Sequence, residues 1–171
     1  VGNSKTGAAV RTWSMNQTTC PCHCKGCYAD SGCYQFAGVK ASLAKNTELA
    51  MQHLEFLNKA LRAQLDTFIA GTEIRIHAVG DFFSYDYLSM WHDIARDYPD
   101  LIFWTYTKQG FKSLAKFDAL ENANIVKSII GRRVNYGKAA YIIALYTELK
   151  AAGESVYICR CGIDANQHCS G

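Results

Sequence analysis

The chain has 171 residues, of which 49% are hydrophobic and 19% charged, and its formal net charge is +3. That length can bury an apolar core without staples, and the composition excludes an intrinsically disordered chain. The charge is too small to announce a phosphate-binding groove, no run of about eighteen apolar residues spans a bilayer, and the first fifteen or so residues lack the apolar core of a signal peptide.

In chain order, residues 9–14 have strand composition and lead into a loop, residues 18–34, reading TTCPCHCKGCYADSGCY. Helical sequence follows over 38–46 and again over 46–68. There Leu49, His53, Leu54, Leu57, Leu61 and Leu65 recur at spacings of three and four, and Asn46 or Thr47 is placed to cap the second helix. A strand from Glu73 runs into a turn at Gly80 and Asp81. Ser84 caps a helix over 85–98 that stops before Pro99. A strand over 101–107, a helix over 112–122 and a strand over 124–130 come next. A last helix closes on Gly153, and residues 155–159 read as a fifth strand.

Strands alternating with helices imply a parallel sheet with helical crossovers, either an open α/β sheet or an incomplete (βα) barrel, in one domain over residues 1–171. In both architectures ligands sit at the carboxyl ends of the strands. The cysteine loop, the Gly80-Asp81 turn and the turn at Lys108-Gln109-Gly110 all leave those ends, so they should converge on one edge.

The loop holds five of the eight cysteines. Thiols so closely spaced in a chain without a secretory signal point to metal or redox chemistry rather than to structural disulfides. Cys20, Cys24 and Cys27 form a C-x3-C-x2-C pattern. Three thiolates on a short loop can wrap one corner of a cubic iron–sulfur cluster and leave one iron open. Alternatively, four of Cys20, Cys22, Cys24, Cys27 and Cys33 can close a tetrahedral zinc site, or Cys24 and Cys27 can form a redox disulfide. The segment 159–171 adds Cys159, Cys161 and Cys169 beside His168. These can form a second cluster or zinc site, completed by Cys33, Cys22 or His168, or supply the fourth ligand to the first.

Four other groups stand near the predicted edge. Asp81, a carboxylate beside glycine at a strand end, can accept an ammonium or cap the next helix. Arg132 and Arg133 can fork onto a carboxylate or lie solvated at the surface. His77 reads as a core histidine or a site residue, and Phe82 and Tyr28 can stack on a base or simply pack.

C-x3-C-x2-C after a first strand resembles the signature of radical S-adenosylmethionine (SAM) enzymes. The resemblance implies a truncated radical-SAM partial barrel, a [4Fe-4S] cluster on Cys20, Cys24 and Cys27, and SAM chelated at the open iron. It also implies reductive cleavage of SAM to start radical chemistry on an unknown substrate. The turn with Val79, Gly80 and Asp81 resembles the one that receives the amino group of SAM in those enzymes, and the end of the third strand at Thr107 resembles a second cofactor contact. Tyr28 would approach adenine and Arg133 a carboxylate. The aromatic residue falls after Cys27 here, whereas the superfamily commonly has it before the third cysteine.

The stretches TWS…TTCP…CYA, IHAVGDFFSYDYLSMW and FWTYTK further resemble a family of small phage and prophage proteins of unknown biochemical role, from about Thr12 to the C-terminal cysteines. That likeness implies a cytoplasmic protein of a bacterium or a phage-infected cell. It keeps open a second role, a non-catalytic binding module stapled by iron–sulfur or zinc that grips a protein partner.

Overall fold

The computed structural model describes residues 10–21, 27–128 and 146–153. The chain divides into two compact units, Val1–Ile129 and Ile130–Gly171. In the second, the described residues form a helix over 146–151 that ends at Gly153, whose φ of 81° is the left-handed value glycine supplies at such an end. The predicted fifth strand lies outside the described residues.

The first unit is an α/β layer structure. Strands β1 (Val10–Thr12), β2 (Glu73–Arg75), β3 (Ile102–Thr107) and β4 (Ala123–Lys127) form one parallel sheet in the order β1-β2-β3-β4. Helices α1 (Ala37–Gln52) and α2 (Leu54–Leu65) connect β1 to β2, α3 (Tyr85–Asp97) connects β2 to β3, and a 3-10 segment, Lys112–Ala119, connects β3 to β4. Each connection steps one strand in the same direction, so the sheet has no reversal of strand order.

Register separates the two faces. Arg11, Ile74, Phe103 and Ala123 stand in one row across the sheet, and Thr12, Arg75, Trp104 and Asn124 in the next. Side chains alternate along a strand, so these rows face opposite ways. Ile74 and Phe103 join a core with Leu57, Leu61 and Leu65 of α2 and Leu88, Trp91 and Ile94 of α3. Leu114 and Phe117 enter the same core from the 3-10 segment, where a spacing of three puts them on one side.

Most predicted elements are present, and Ser84 caps α3 as expected, its Oγ accepting from the Tyr87 amide at 3.2 Å. The helical stretch before β2 is divided differently from the sequence reading. Asn46 and Thr47 are interior to α1, and the break falls at His53, whose φ of −136° is not helical. The physical reason is that both side chains serve the loop after β1. Asn46 Nδ2 donates to the Ser14 carbonyl and Thr47 Oγ1 accepts from the Asn16 amide, each at 2.8 Å. The break separates this loop-holding face from the leucines that α2 buries. The helix predicted over 112–122 is likewise replaced by the 3-10 segment.

The end of α3 depends on one side chain from another connection. Asn122 Nδ2 lies 2.9–3.0 Å from the carbonyls of Ala95, in the last turn of α3, of Tyr98, which caps that helix, and of Leu101, just before β3; Ala95 has no helical donor four residues on because Pro99 stands there. Asn122→Ala is therefore expected to lower stability by about 1–3 kcal/mol, with α3 and β3 otherwise retained, as read by urea unfolding.

Candidate functional site

The loop after β1 is built from short polar side chains. Asn16 caps a 3-10 turn, Gln17–Thr19, through a hydrogen bond from the Thr18 amide to Asn16 Oδ1, and Cys20 follows at its end. Ser14 Oγ receives the Ala78 and Val79 amides at 3.2 and 3.4 Å, and the Met15 amide donates to the Val79 carbonyl at 2.9 Å. The loop is thereby tied to the end of β2 before the first cysteine is reached.

The tie is tightest at Gly80. Its φ is 89°, and a Cβ there would stand 2.8 Å from Thr19 Oγ1 and 3.0 Å from Met15 Cβ. Only glycine allows both the backbone conformation and the approach. Thr19 Oγ1 donates to the Asn16 carbonyl at 2.8 Å and accepts from the Asp81 amide at 3.0 Å, so the buried hydroxyl is used in both roles.

Asp81 carries the connection on to β3. Its Oδ1 accepts from the Phe82 amide at 2.8 Å and from Thr107 Oγ1 at 2.6 Å, and its Oδ2 accepts from the Lys108 amide at 2.8 Å. Thr107 Oγ1 also receives the Gln109 amide at 3.0 Å. Asp81 is only 2% exposed. Burial raises its pKa, and the hydrogen bonds from Lys108, Thr107 and Phe82 oppose that rise by favouring the carboxylate.

Beyond Cys20, two further contacts shape the loop. Gln17 Nε2 donates to Asp30 Oδ1 at 2.9 Å, and Gln35 Nε2 donates to the Ala29 carbonyl at 2.6 Å. Cys20 and Cys27 are half-buried and Cys33 is exposed; none of the three is in a disulfide. Tyr28 begins the 3-10 turn Tyr28–Asp30. Cys22, Cys24, Arg133, Cys159, Cys161 and Cys169 lie outside the described residues, as do Arg132 and His168. Among the described residues, no group of three His, Cys, Asp or Glu side chains is arranged to hold a metal.

Gly80, Asp81 and Thr107 are thus joined at the carboxyl edge of the sheet, where the sequence expected them to meet. Thr19, Ser14 and Asn16 join them there and were not singled out in the sequence. The signal for these three was the turn-forming run Ser14, Asn16, Thr18, Thr19 directly after a strand.

His77 belongs to the core. Its Nε2 lies 2.9 Å from Tyr87 Oη, which also receives Trp13 Nε1 at 2.9 Å, while its buried Nδ1 has no partner among the described residues. Burial, and then the nearby Arg75 charge, hold the His77 pKa down to about 3. The ring also packs edge-on against Phe82, with centroids 4.9 Å apart.

The chain belongs to the Gene product 88 family, whose model it matches over residues 3–165. It is 30% identical over 89 residues to the Gene 88 protein of Mycobacterium phage D29, a match covering 45% of this chain and 36% of that protein. It is 53% identical over 34 residues to the Gene 88 protein of Mycobacterium phage L5, covering 20% and 14%. The aligned stretches therefore span well under half of either relative's length. No solved structure matches. Among the described residues, no helix is long and apolar enough to cross a membrane.

Two measurements check this geometry. Gly80→Ala is expected to destabilise the fold by several kcal/mol, about 1 from backbone conformation and the rest from the forced separation of Thr19 and Met15. Equilibrium urea unfolding reads it, and a loss below about 1 kcal/mol would contradict the close approach. The second check concerns acid. Between pH 6.5 and about 3 the unfolded chain binds a proton at His77 that the folded chain refuses, so stability falls as pH drops through that window. Relative to His77→Gln, the native chain should lose about 2 kcal/mol more between pH 7 and pH 5. Equal losses in the two proteins would show that His77 is charged in the fold or exposed.

Proposed function

We propose that this chain is a phage-family iron–sulfur protein of the radical-SAM kind, with Cys20, Cys24 and Cys27 holding a [4Fe-4S] cluster and Gly80, Asp81 and Thr107 framing the place of SAM. The observation that carries the reading is the attachment of the cysteine loop. It leaves the carboxyl end of β1 and is fixed through Thr19 to Gly80 and Asp81 at the end of β2, in a parallel sheet wound without reversal. An unreversed strand order is that of a barrel segment, and in such folds chemistry gathers at this edge.

The donor set fits the group. Cys20 and Cys27 are half-buried thiols outside any disulfide, and soft thiolates select iron–sulfur or zinc centres. When bound, the cluster supplies the electron that reductively cleaves the SAM sulfonium. The protein's own part is to hold and shield. Asp81 has about four lone-pair positions, and the Phe82, Thr107 and Lys108 donors take three, so Oδ2 keeps one for an ammonium. Cys22, Cys33, Cys159, Cys161 and Cys169 remain candidates for a fourth ligand or a second centre, and Tyr28 and Arg133 for SAM contacts.

The burial of Asp81 favours a second reading. A carboxylate committed to the chain's own donors is what a purely structural edge also needs, and a metal-stapled module gripping a protein partner has no use for an open iron. Metal analysis of anaerobically purified protein separates the two. The enzyme reading expects about four irons and matching sulfide per chain, with an electron paramagnetic resonance signal of the reduced protein that shifts on adding SAM. Cys24→Ala should abolish the iron. Zinc in place of iron, or a cluster indifferent to SAM, would remove the enzyme reading.

A further inference from the structure

The turn after β3 and the start of α3 meet at a pair of aromatic rings, one of them open to solvent. Tyr85 is the first residue of α3, next to the Ser84 cap, and it is 60% exposed. Its ring packs on that of Phe111, just before the 3-10 segment, with centroids 4.6 Å apart and planes tilted by 39°. Phe111 leans on the apolar core, whereas Tyr85 takes no part in it. An aromatic ring left outside the core forgoes the stabilisation that burial would give, and its remaining surface is free to stack.

Cations stand beside the pair. Lys112 follows Phe111 directly, and Lys127 ends β4 opposite Thr107, which Lys108 follows. The Ser128 amide donates to the Thr107 carbonyl at 2.6 Å and the Gln109 amide to Thr107 Oγ1 at 3.0 Å, so the end of β4 is held against the turn that leads to Phe111. Lys108, Lys112 and Lys127 are all exposed. Among the described residues no carboxylate pairs with Lys112 or Lys127. Of the nearby carboxylates, Asp81 is buried, and Asp86 stands in the first turn of α3, where the positive end of the helix meets its charge.

An open aromatic face flanked by cations is suited to a polynucleotide, whose bases offer faces to stack and whose phosphates pair with lysine. A duplex keeps its base faces within its own stack, so the ring selects a single strand. We propose that the edge formed by Tyr85, Phe111, Lys112 and Lys127 binds single-stranded nucleic acid, with a base on Tyr85 and the flanking phosphates at the lysines. This surface adjoins the Asp81 turn, since the Lys108 amide donates to that carboxylate, and it does not depend on a cluster in the cysteine loop.

The test is fluorescence anisotropy of end-labelled oligothymidylate and oligouridylate, each about twelve nucleotides long, with the full chain at low salt. Saturable binding of at least one strand is expected, tighter than that of a duplex of equal length. Tyr85→Ala should weaken binding at least about fivefold, while Tyr85→Phe, which keeps the ring, should not. Lys112→Gln and Lys127→Gln should each weaken binding and reduce the slope of log affinity against log salt by about 0.7. Lys59→Gln makes the same change in net charge on α2, where Lys59 pairs with Glu55, and should alter neither quantity. Binding of neither strand, equal affinity for the duplex, a Tyr85→Ala chain that binds as the native one does, or an equal loss in Lys59→Gln would overturn the site.

Discussion

One buried carboxylate organises the carboxyl edge of the sheet. Asp81 receives the amide that follows it, the hydroxyl that ends β3 and the first amide beyond β3, and its own amide reaches the loop after β1 through Thr19. Three strand ends are thereby held in fixed relation by hydrogen bonds to a single residue. Such a carboxylate is costly to desolvate, so it persists only because its donors compensate it. Gly80 is the steric counterpart. Without a side chain it lets the loop backbone close onto the turn, and Asp81 then fixes what the contact has brought together.

The fold was largely legible because its signals are local. The alternation of strand and helix patterns, the Ser84 cap and the stop before Pro99 each depend on a few neighbouring residues, and each is present. The subdivision of the helical region before β2 was not legible, because Asn46 and Thr47 look like caps in sequence and are used in the structure to hold a loop more than thirty positions away. A side chain's partner across the fold leaves no trace in periodicity. The same holds for Asn122, which reads as a turn residue and closes the end of α3.

The candidate site divides along the same line. That Gly80, Asp81 and Thr107 meet could be expected from topology alone, since all three end strands of a parallel sheet. That Thr19 bridges them could not, because its role depends on the separation imposed by a glycine 61 positions later. Arg75 and Trp104 escaped notice for a different reason. Each is ordinary in a strand, and only the register that sets Arg75 beside Trp104 brings the guanidinium over the indole ring.

The two faces of the sheet then have different chemistry. Toward the helices, Ile74 and Phe103 pack into an apolar core, where Tyr87 Oη joins His77 and Trp13 by hydrogen bonds while, among the described residues, His77 Nδ1 and Trp91 Nε1 find no partner. Away from them, Arg75 of β2 lies over the Trp104 ring of β3 and donates to the His77 carbonyl, and among the described residues Trp104 Nε1 finds no acceptor. Each unpartnered buried N–H weakens the fold, and both faces of the sheet carry one, Trp91 on the helix side and Trp104 on the other.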